Sequence, residues 1–262
     1  MSDPLDTGRP HPARVYDYLL GGKDHFAADR AAAEQGLQAN PNAATAPRQN
    51  RAFLRRTVRM LAEAGVDQFL DIGTGLPTSP NVHEVAQEVL PAARVVYVDY
   101  DPLVLAHARA LLTSTPEGRT GYAEARLQDG VAILERPEVR EILDLDRPVA
   151  LLLYAVLHFV DDADDPYATV AALMDALPRG SHLVISHITD EHDPQSWARF
   201  AAIMRGQGIT TRLRDRLDVA RFFTGLDLLE PGVTPILRWR PDEVSTFTDA
   251  QVALFGGVGR KR

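Results

Sequence analysis

The chain has 262 residues, of which 45% are hydrophobic and 24% are charged, the proportions of an ordinary soluble globule. Its 28 Lys and Arg residues against 36 Asp and Glu residues give a net charge of −8, which argues against general nucleic-acid binding because such binders carry a basic footprint. The sequence contains no cysteine, which excludes disulfides, thiolate metal sites and cysteine nucleophiles.

No segment of the sequence has the pattern of a membrane span. The most apolar stretch, residues 149–160, contains His158 and falls short of the ~20 residues that a spanning helix needs. The N-terminus lacks the charged-then-apolar pattern of a signal peptide. We therefore expect a cytoplasmic protein without membrane or general nucleic-acid partners. Its oligomeric state does not follow from the sequence.

Residues 1–65 are polar-rich and predict two or three helices. One helix should run from about residue 48 to residue 64 and stop at Gly65. Its apolar side consists of Leu54, Val58, Leu61 and Ala62. The same stretch carries five arginines, for which we favour a solvated helix face over contact with an acidic substrate. These arginines are Arg48, Arg51, Arg55, Arg56 and Arg59.

Short apolar runs alternate with amphipathic stretches between residues 66 and about 190. The runs are bounded by turn residues or charges, as buried parallel strands are, and they cover residues 68–70, 94–98, 149–154 and 182–186. Ser79, Asp101 and Asp165 each precede a proline, which predicts three helix starts. This alternation predicts an α/β fold with a mostly parallel sheet and helices on both faces. Further along, we expect a helical stretch near residues 197–221 and closing strands at 225–239 and 251–258.

The end of the first predicted strand carries the most informative residues. In an open parallel sheet, ligands bind at the carboxyl ends of the strands. The first strand leads into Asp71, followed by Gly73, Thr74 and Gly75, and the two glycines allow a sharp turn and the close approach of a ligand. A carboxylate before the glycines would repel a pyrophosphate and suits a cationic ammonium group.

Acidic residues also follow the next two strands. The second strand ends at Asp99, followed by Tyr100, and an acid at that place can accept both hydroxyls of a ribose. The third candidate strand leads into Asp129 and Gly130, where a carboxylate can accept a hydrogen bond from an exocyclic amine. For Asp101 we favour a role as a helix cap.

These segments resemble the successive motifs of class I S-adenosylmethionine-dependent methyltransferases: QFLDIGTG, VVYVDYDP, ARLQDG, LLLYAVLHFVDD and LPRGSHLVIS. Outside that core, three blocks resemble an actinobacterial S-adenosyl methyltransferase family formerly catalogued as a domain of unknown function: RPHPARVYDYLLGGKDHFAADR, RQNRAFLRR and VALFGGVGRK. The resemblance covers nearly the whole chain. It departs from the broad pattern at Pro77, where many methyltransferases have a third glycine.

The resemblance implies a Rossmann-like class I methyltransferase fold, with a seven-stranded, mostly parallel sheet whose last strand is antiparallel. It implies S-adenosyl-L-methionine as the cofactor. We expect residues 1–65 to form an N-terminal helical cap or lid and residues 66–262 to form the methyltransferase domain. Four groups of residues would line the cofactor: Asp71, Gly73, Thr74 and Gly75 at the methionine, Asp99 and Tyr100 at the ribose, Asp129 and Gly130 at the adenine amine, and Ala155 to His158 facing the methyl group.

The expected reaction is methyl transfer to an O, N or C nucleophile of a small molecule. His158 and Tyr16 are the candidate general bases, with a hydrogen-bonded wall histidine as the open alternative for His158. For the segment around Tyr16, a lid and a helix end with core-packed tyrosines both stay open. We expect no metal site, because His182 and His187 fall on opposite faces of a strand and match no ligand spacing.

Two other functions stay open at the level of the sequence. One is a non-catalytic protein that binds S-adenosylmethionine as a sensing or structural ligand, since such a protein would keep the donor site. The other, more remote, is a nicotinamide-dependent oxidoreductase, for which the third glycine of the G-x-G-x-x-G fingerprint is missing after Gly75.

Overall fold

Three helices precede the sheet in the computed structural model, which describes residues 6–262. The first five residues of the predicted cap lie outside the described residues. The helices are α1 (Pro12–Leu20), α2 (Ala27–Ala39) and α3 (Thr45–Glu63), with a short 3₁₀ helix at Pro41–Ala44 between the last two. The predicted stop at Gly65 is confirmed, since this residue takes the left-handed conformation (φ +87°) that glycine allows without strain.

Eight strands form one sheet. They are β1 (Gln68–Ile72), β2 (Arg94–Asp99), β3 (Arg119–Glu124), β4 (Ala150–Tyr154), β5 (His182–Ile188), β6 (Leu226–Leu228), β7 (Thr234–Pro235) and β8 (Leu254–Lys261). Seven of them follow the order β3-β2-β1-β4-β5-β8-β6, and the two-residue β7 pairs with β8 beside this path. Strands β1 to β5 are parallel and β8 is antiparallel to its neighbours, which confirms the predicted mostly parallel sheet; the two-residue β7 is one strand more than the seven expected.

Seven helices connect or follow the strands. They are α4 (Val82–Val89), α5 (Pro102–Leu111), α6 (Pro137–Ile142), α7 (Pro166–Ala176), α8 (Pro194–Gly206), α9 (Arg216–Arg221) and α10 (Asp249–Val252). The predicted starts of α5 and α7 are confirmed, because Asp101 and Asp165 accept backbone hydrogen bonds from the first turn. The start predicted at Ser79 was wrong: α4 begins after Asn81, whose backbone N–H donates to Glu84.

The helices and strands of the C-terminal part are shorter and more often interrupted than the sequence pattern predicted. The helical stretch expected near residues 197–221 is two helices, separated by a turn at Gly208 (φ +83°). The strand expected at 225–239 is interrupted by Pro231 and Gly232, and only the short strands β6 and β7 form on either side. The last strand starts at Leu254 rather than residue 251, because Ala253 (φ +47°) breaks the chain direction after α10.

Both faces of the sheet are covered by helices. Phe53, Val58 and Leu61 of α3 pack in the same buried cluster as Phe69 of β1, whereas the neighbouring Leu70 faces a second cluster on the opposite side. Helix α3 therefore belongs to the core that supports the sheet, although it lies within the predicted cap. Among residues 6–262, no helix has the length and hydropathy needed to cross a membrane.

Candidate functional site

A cavity of about 1140 Å³, including its open mouth, lies at the carboxyl ends of the first four parallel strands. The loops after β1, β2, β3 and β4 form its floor and sides, and residues of α1 and α3 close it from above. Six of the predicted cofactor residues meet in its wall: Asp71, Gly73, Thr74, Gly75, Asp99 and Tyr100. Ala155, from the loop after β4, lies on the same wall.

Asp71 is a buried carboxylate at the end of β1. Burial raises its pKa to about 6, while the hydrogen bond from Thr74 and the charge of Arg51 act in the opposite direction. Thr74 Oγ1 donates to Asp71 Oδ2 at 2.9 Å, which fixes the orientation of the carboxylate. Burial therefore disfavours the negative charge of Asp71, and a cation placed beside it would stabilise that charge.

Asp99 lies at the end of β2 and is also buried. Its Oδ2 accepts from the backbone N–H of Gly75 at 2.9 Å and its Oδ1 accepts from that of Asp101 at 3.0 Å. Burial raises the pKa of Asp99, and these two backbone donors oppose the rise. Each carboxylate oxygen keeps a second lone pair, so the group can still accept from a ligand. Next to it, Tyr100 is stacked with the guanidinium of Arg126, 4.1 Å from the ring centroid.

The loop after β1 requires glycine for a steric reason. Gly73 adopts φ +74°, and a Cβ built there would lie 2.3 Å from Cγ2 of Val156. A side chain at this position would combine a strained backbone with a collision. The missing side chain lets the backbone of the loop form the cavity wall directly.

Three predicted cofactor residues lie away from this wall. Asp129 and Gly130 are not part of it, whereas Gln128 is. The exposed carboxylate of Asp129 accepts from the backbone N–H of Arg126 at 2.9 Å, because it caps the turn that follows β3. His158 lines an adjoining cavity instead of the first one.

This second cavity, of about 610 Å³ including its mouth, lies between α1, α3 and α8. Its wall is almost entirely apolar. His158 is 7% exposed, and burial together with the charge of Arg214 lowers its pKa to about 3. Arg214 is itself held by Leu157 O at 3.0 Å and by His187 Nε2 at 2.7 Å. The histidine on the cavity wall is therefore uncharged at neutral pH.

A chain of hydrogen bonds joins the walls of the two cavities. Tyr16 Oη donates to Pro47 O at 3.1 Å and accepts from Asn50 Nδ2 at 3.0 Å. Ser186 Oγ donates to Asn50 Oδ1 at 2.6 Å and accepts from the Ala155 N–H at 3.0 Å. Tyr16, Asn50 and Ala155 line both cavities, so this network, called the partition below, lies where the two cavities meet.

The sequence interpretation missed Asn50 and misplaced two arginines. Arg51 lines the first cavity and donates to Thr78 O at 2.6 Å, and Arg56 donates to Ile236 O at 2.7 Å. The prediction of a solvated face was therefore wrong for these two residues and holds for the exposed Arg48 and Arg55. The spacing of Arg51 and Arg56 in the sequence does not indicate these hydrogen bonds, because loops distant in sequence supply the carbonyl partners.

A family model described as S-adenosyl methyltransferase matches residues 1–262. The chain belongs to this family. Among solved structures, a DUF574 family protein from Streptomyces avermitilis MA-4680 is 47% identical, with a TM-score of 0.95 and coverage of 98% of this chain and 99% of that one. A proposed methyltransferase from Thermobifida fusca YX is 42% identical, with a TM-score of 0.90 and coverage of 98% and 97%.

More distant structures share the fold. An O-methyltransferase family protein from Burkholderia thailandensis is 16% identical, with a TM-score of 0.55 and coverage of 84% of this chain and 58% of that one. Among curated proteins, none matches the chain. Family membership confirms the predicted activity: the chain is an S-adenosylmethionine-dependent methyltransferase. It favours methyl transfer over both the nicotinamide-dependent oxidoreductase and the non-catalytic binder.

Proposed function

We propose that the enzyme holds S-adenosylmethionine in the first cavity and transfers its methyl group to a small molecule in the second. The observation that carries this proposal is that the two cavities meet at the partition. Tyr16, Asn50 and Ala155 line both cavities, so the methyl carbon and the acceptor atom would make direct contact where the cavities meet beside these residues.

The residues of the first cavity suit the parts of S-adenosylmethionine. The carboxylate of Asp71 would take the ammonium group, and Arg51 on the same wall supplies positive charge for the carboxylate of the methionine part. The free lone pairs of Asp99 would accept from the ribose hydroxyls. Gly73 leaves room for the ligand at the loop backbone, since no side chain fits there.

The adenine would lie at the end of the cavity formed by Tyr100 and Gln128. We assign contact with the exocyclic amine to Gln128, because its side chain lies on the wall and can accept through its amide oxygen. Asp129 would act indirectly by capping the turn that places Gln128.

Bound S-adenosylmethionine supplies an electrophilic methyl group on a sulfonium. The protein has to hold donor and acceptor in line and to exclude water. Burial raises the pKa of Tyr16, and its hydroxyl is engaged with Pro47 and Asn50. His158 is too weak a base to take a proton at neutral pH. We therefore assign both residues to positioning rather than to general-base catalysis.

The cover over the two cavities would be α1 rather than the whole of residues 1–65. Tyr16 and Asp17 of α1 line the first cavity, while Val15 and Leu19 on the same helix line the second. Helix α3 packs in the core of the sheet. The functional division within the predicted cap would thus fall before α3.

A matched pair of substitutions tests the assignment of the cavities. Ala13 lines only the first cavity and Ala46 only the second. Ala13→Phe should weaken binding of S-adenosylhomocysteine at least about tenfold, whereas Ala46→Phe should leave it within about twofold. Titration calorimetry measures the affinity of both variants, and thermal melts verify that they fold. Ala46→Ser, which hardly changes the size of the side chain, is the control. Weaker binding in Ala46→Phe with unchanged binding in Ala13→Phe would instead place the cofactor in the second cavity.

A further inference from the structure

The second cavity offers almost no charge or free polarity to a ligand. Among the described residues that line it, none is Asp, Glu, Lys or Arg. Phe159, Trp197 and Phe200 contribute aromatic surface, and aliphatic side chains complete most of the wall. A ligand that enters must therefore exchange water for hydrocarbon over most of its surface.

The polar side chains on this wall are mostly engaged with the protein itself. Tyr16 and Asn50 bond to each other in the partition, and Thr211 Oγ1 donates to Ile209 O at 3.1 Å. His158 differs, because its Nδ1 has no hydrogen-bond partner, but this atom is buried and has almost no accessible surface. The wall therefore offers a ligand little free hydrogen-bonding capacity.

Charged side chains next to the lining residues bond within the protein: Arg205 donates to Thr211 O at 2.8 Å, and Arg214 lies close enough to His158 to affect its pKa. Arg214 is buried and contacts Asp162 at 2.5 Å, and it also donates to His187. Burial lowers the pKa of His187 well below its ordinary value, and the charge of Arg214 acts in the same direction, so this second imidazole is neutral as well. A charged ligand would find no counter-ion on the wall, and burial of an unpaired charge is strongly unfavourable.

From this wall we infer that the methyl acceptor is an uncharged aromatic molecule whose nucleophilic atom is a neutral nitrogen. This inference rests on the proposed division of the two cavities. The aromatic wall favours a planar ring system, and the absence of charge from the wall excludes acids and ammonium ions. A hydroxyl is a weak nucleophile until it loses its proton; the Tyr16 hydroxyl already donates to Pro47 O, and His158 Nδ1 is buried, so neither is placed to remove that proton.

The transfer is balanced without a protein base. The nitrogen lone pair forms the new N–C bond to the methyl carbon, and the C–S bond breaks with its electron pair remaining on sulfur as a neutral thioether. The positive charge passes from sulfur to the methylated nitrogen, so the product leaves the uncharged cavity and, where the nitrogen bore hydrogen, releases that proton to bulk water.

Three naphthalene derivatives test the inference on the intact enzyme. They are 1-naphthylamine, which is neutral at pH 7.5, 5-amino-1-naphthalenesulfonate, which adds a permanent negative charge, and 1-naphthylmethylamine, which is cationic. Titrated with S-adenosylhomocysteine present, 1-naphthylamine should bind at least about tenfold more tightly than either charged compound. Quenching of tryptophan fluorescence reports binding, because Trp197 lies on the wall.

Two controls separate this inference from the proposed function. Ala46→Phe should abolish binding of 1-naphthylamine and retain binding of S-adenosylhomocysteine. If wild-type enzyme did not bind S-adenosylhomocysteine, the proposed cofactor cavity would be refuted, and not the nature of the acceptor. Equal binding of a charged derivative would overturn the uncharged acceptor. With S-adenosylmethionine, 1-naphthylamine should yield S-adenosylhomocysteine at least about tenfold faster than 1-naphthol, and the opposite preference would overturn the nitrogen nucleophile.

Discussion

Replacement of Asp71 by Asn should stabilise the cofactor-free enzyme while impairing its function. The pKa of Asp71 is about 6 in the folded protein against an ordinary 3.8, because burial disfavours the charged form. Above pH 6 the folded protein must ionise this carboxyl at a cost of about 3 kcal/mol relative to the unfolded chain. Asn keeps an acceptor for the Thr74 hydroxyl without the charge. The variant should therefore gain up to about 3 kcal/mol of unfolding free energy at pH 8.

The sign of the pH dependence makes this prediction specific. A raised carboxyl pKa means that the folded state binds more protons than the unfolded chain between pH 3.8 and about 6. The contribution of Asp71 to stability consequently falls as the pH rises through this window and is constant above it. The difference between Asp71→Asn and wild type should thus be small near pH 4 and reach its full size above pH 6.

Denaturant unfolding at several pH values measures this difference, with Asp164→Asn as a control on an exposed acid. Titration calorimetry of S-adenosylmethionine on the same proteins measures the opposite effect. Loss of the carboxylate should weaken binding by about 1.5–3 kcal/mol. Wild-type affinity should also fall as the pH drops below about 6, since protonated Asp71 no longer attracts the ammonium group. A variant less stable than wild type at pH 8, or one with unchanged affinity, would refute the reasoning.

Three further predictions concern the walls of the cavities. Asp99→Ala should weaken S-adenosylmethionine binding by about 1–3 kcal/mol in calorimetry, and unchanged affinity would remove this residue from the ribose. Gly73→Ala should lower the unfolding free energy by about 1–3 kcal/mol, because its Cβ would lie 2.3 Å from Val156; addition of Val156→Ala should restore part of the loss, and no restoration would contradict the collision. Arg214→Met should destabilise the protein by about 2 kcal/mol or more, since it removes hydrogen bonds to Leu157 O and other partners. In the same variant the pKa of His158 should rise in an NMR titration, because the charge of Arg214 lowers it in the wild type. An unchanged pKa would contradict this effect of the charge.

Most of the parallel sheet could be predicted because its signals are local. The apolar runs of β1, β2, β4 and β5 and the caps at Asp101 and Asp165 depend on neighbouring residues alone. The C-terminal part was harder, because long-range pairing decides where its strands lie. Strand β8 runs to Lys261 between β5 and β6, and its register with them is set by contacts that no short window contains.

The same contrast between local and long-range signals applies to the residues of the site. Asp71 and Asp99 could be placed because they end strands whose carboxyl ends must meet at one edge of the sheet. Asn50 and Arg51 could not, since they lie in the middle of an amphipathic helix and become wall residues only when α3 packs against the sheet. Asp129 matches the family motif, yet its carboxylate caps a turn, and the sequence does not distinguish these uses.

The hydrogen-bonded partition has a consequence for the order in which ligands bind. Tyr16, Asn50 and Ala155 present atoms to both cavities while Ser186 ties their positions together. Any occupant that tightens this network prepares the surface that the other occupant meets. By thermodynamic linkage, each ligand changes the affinity of the protein for the other by the same factor. A donor and an acceptor that both contact this hydrogen-bonded partition would thus bind cooperatively.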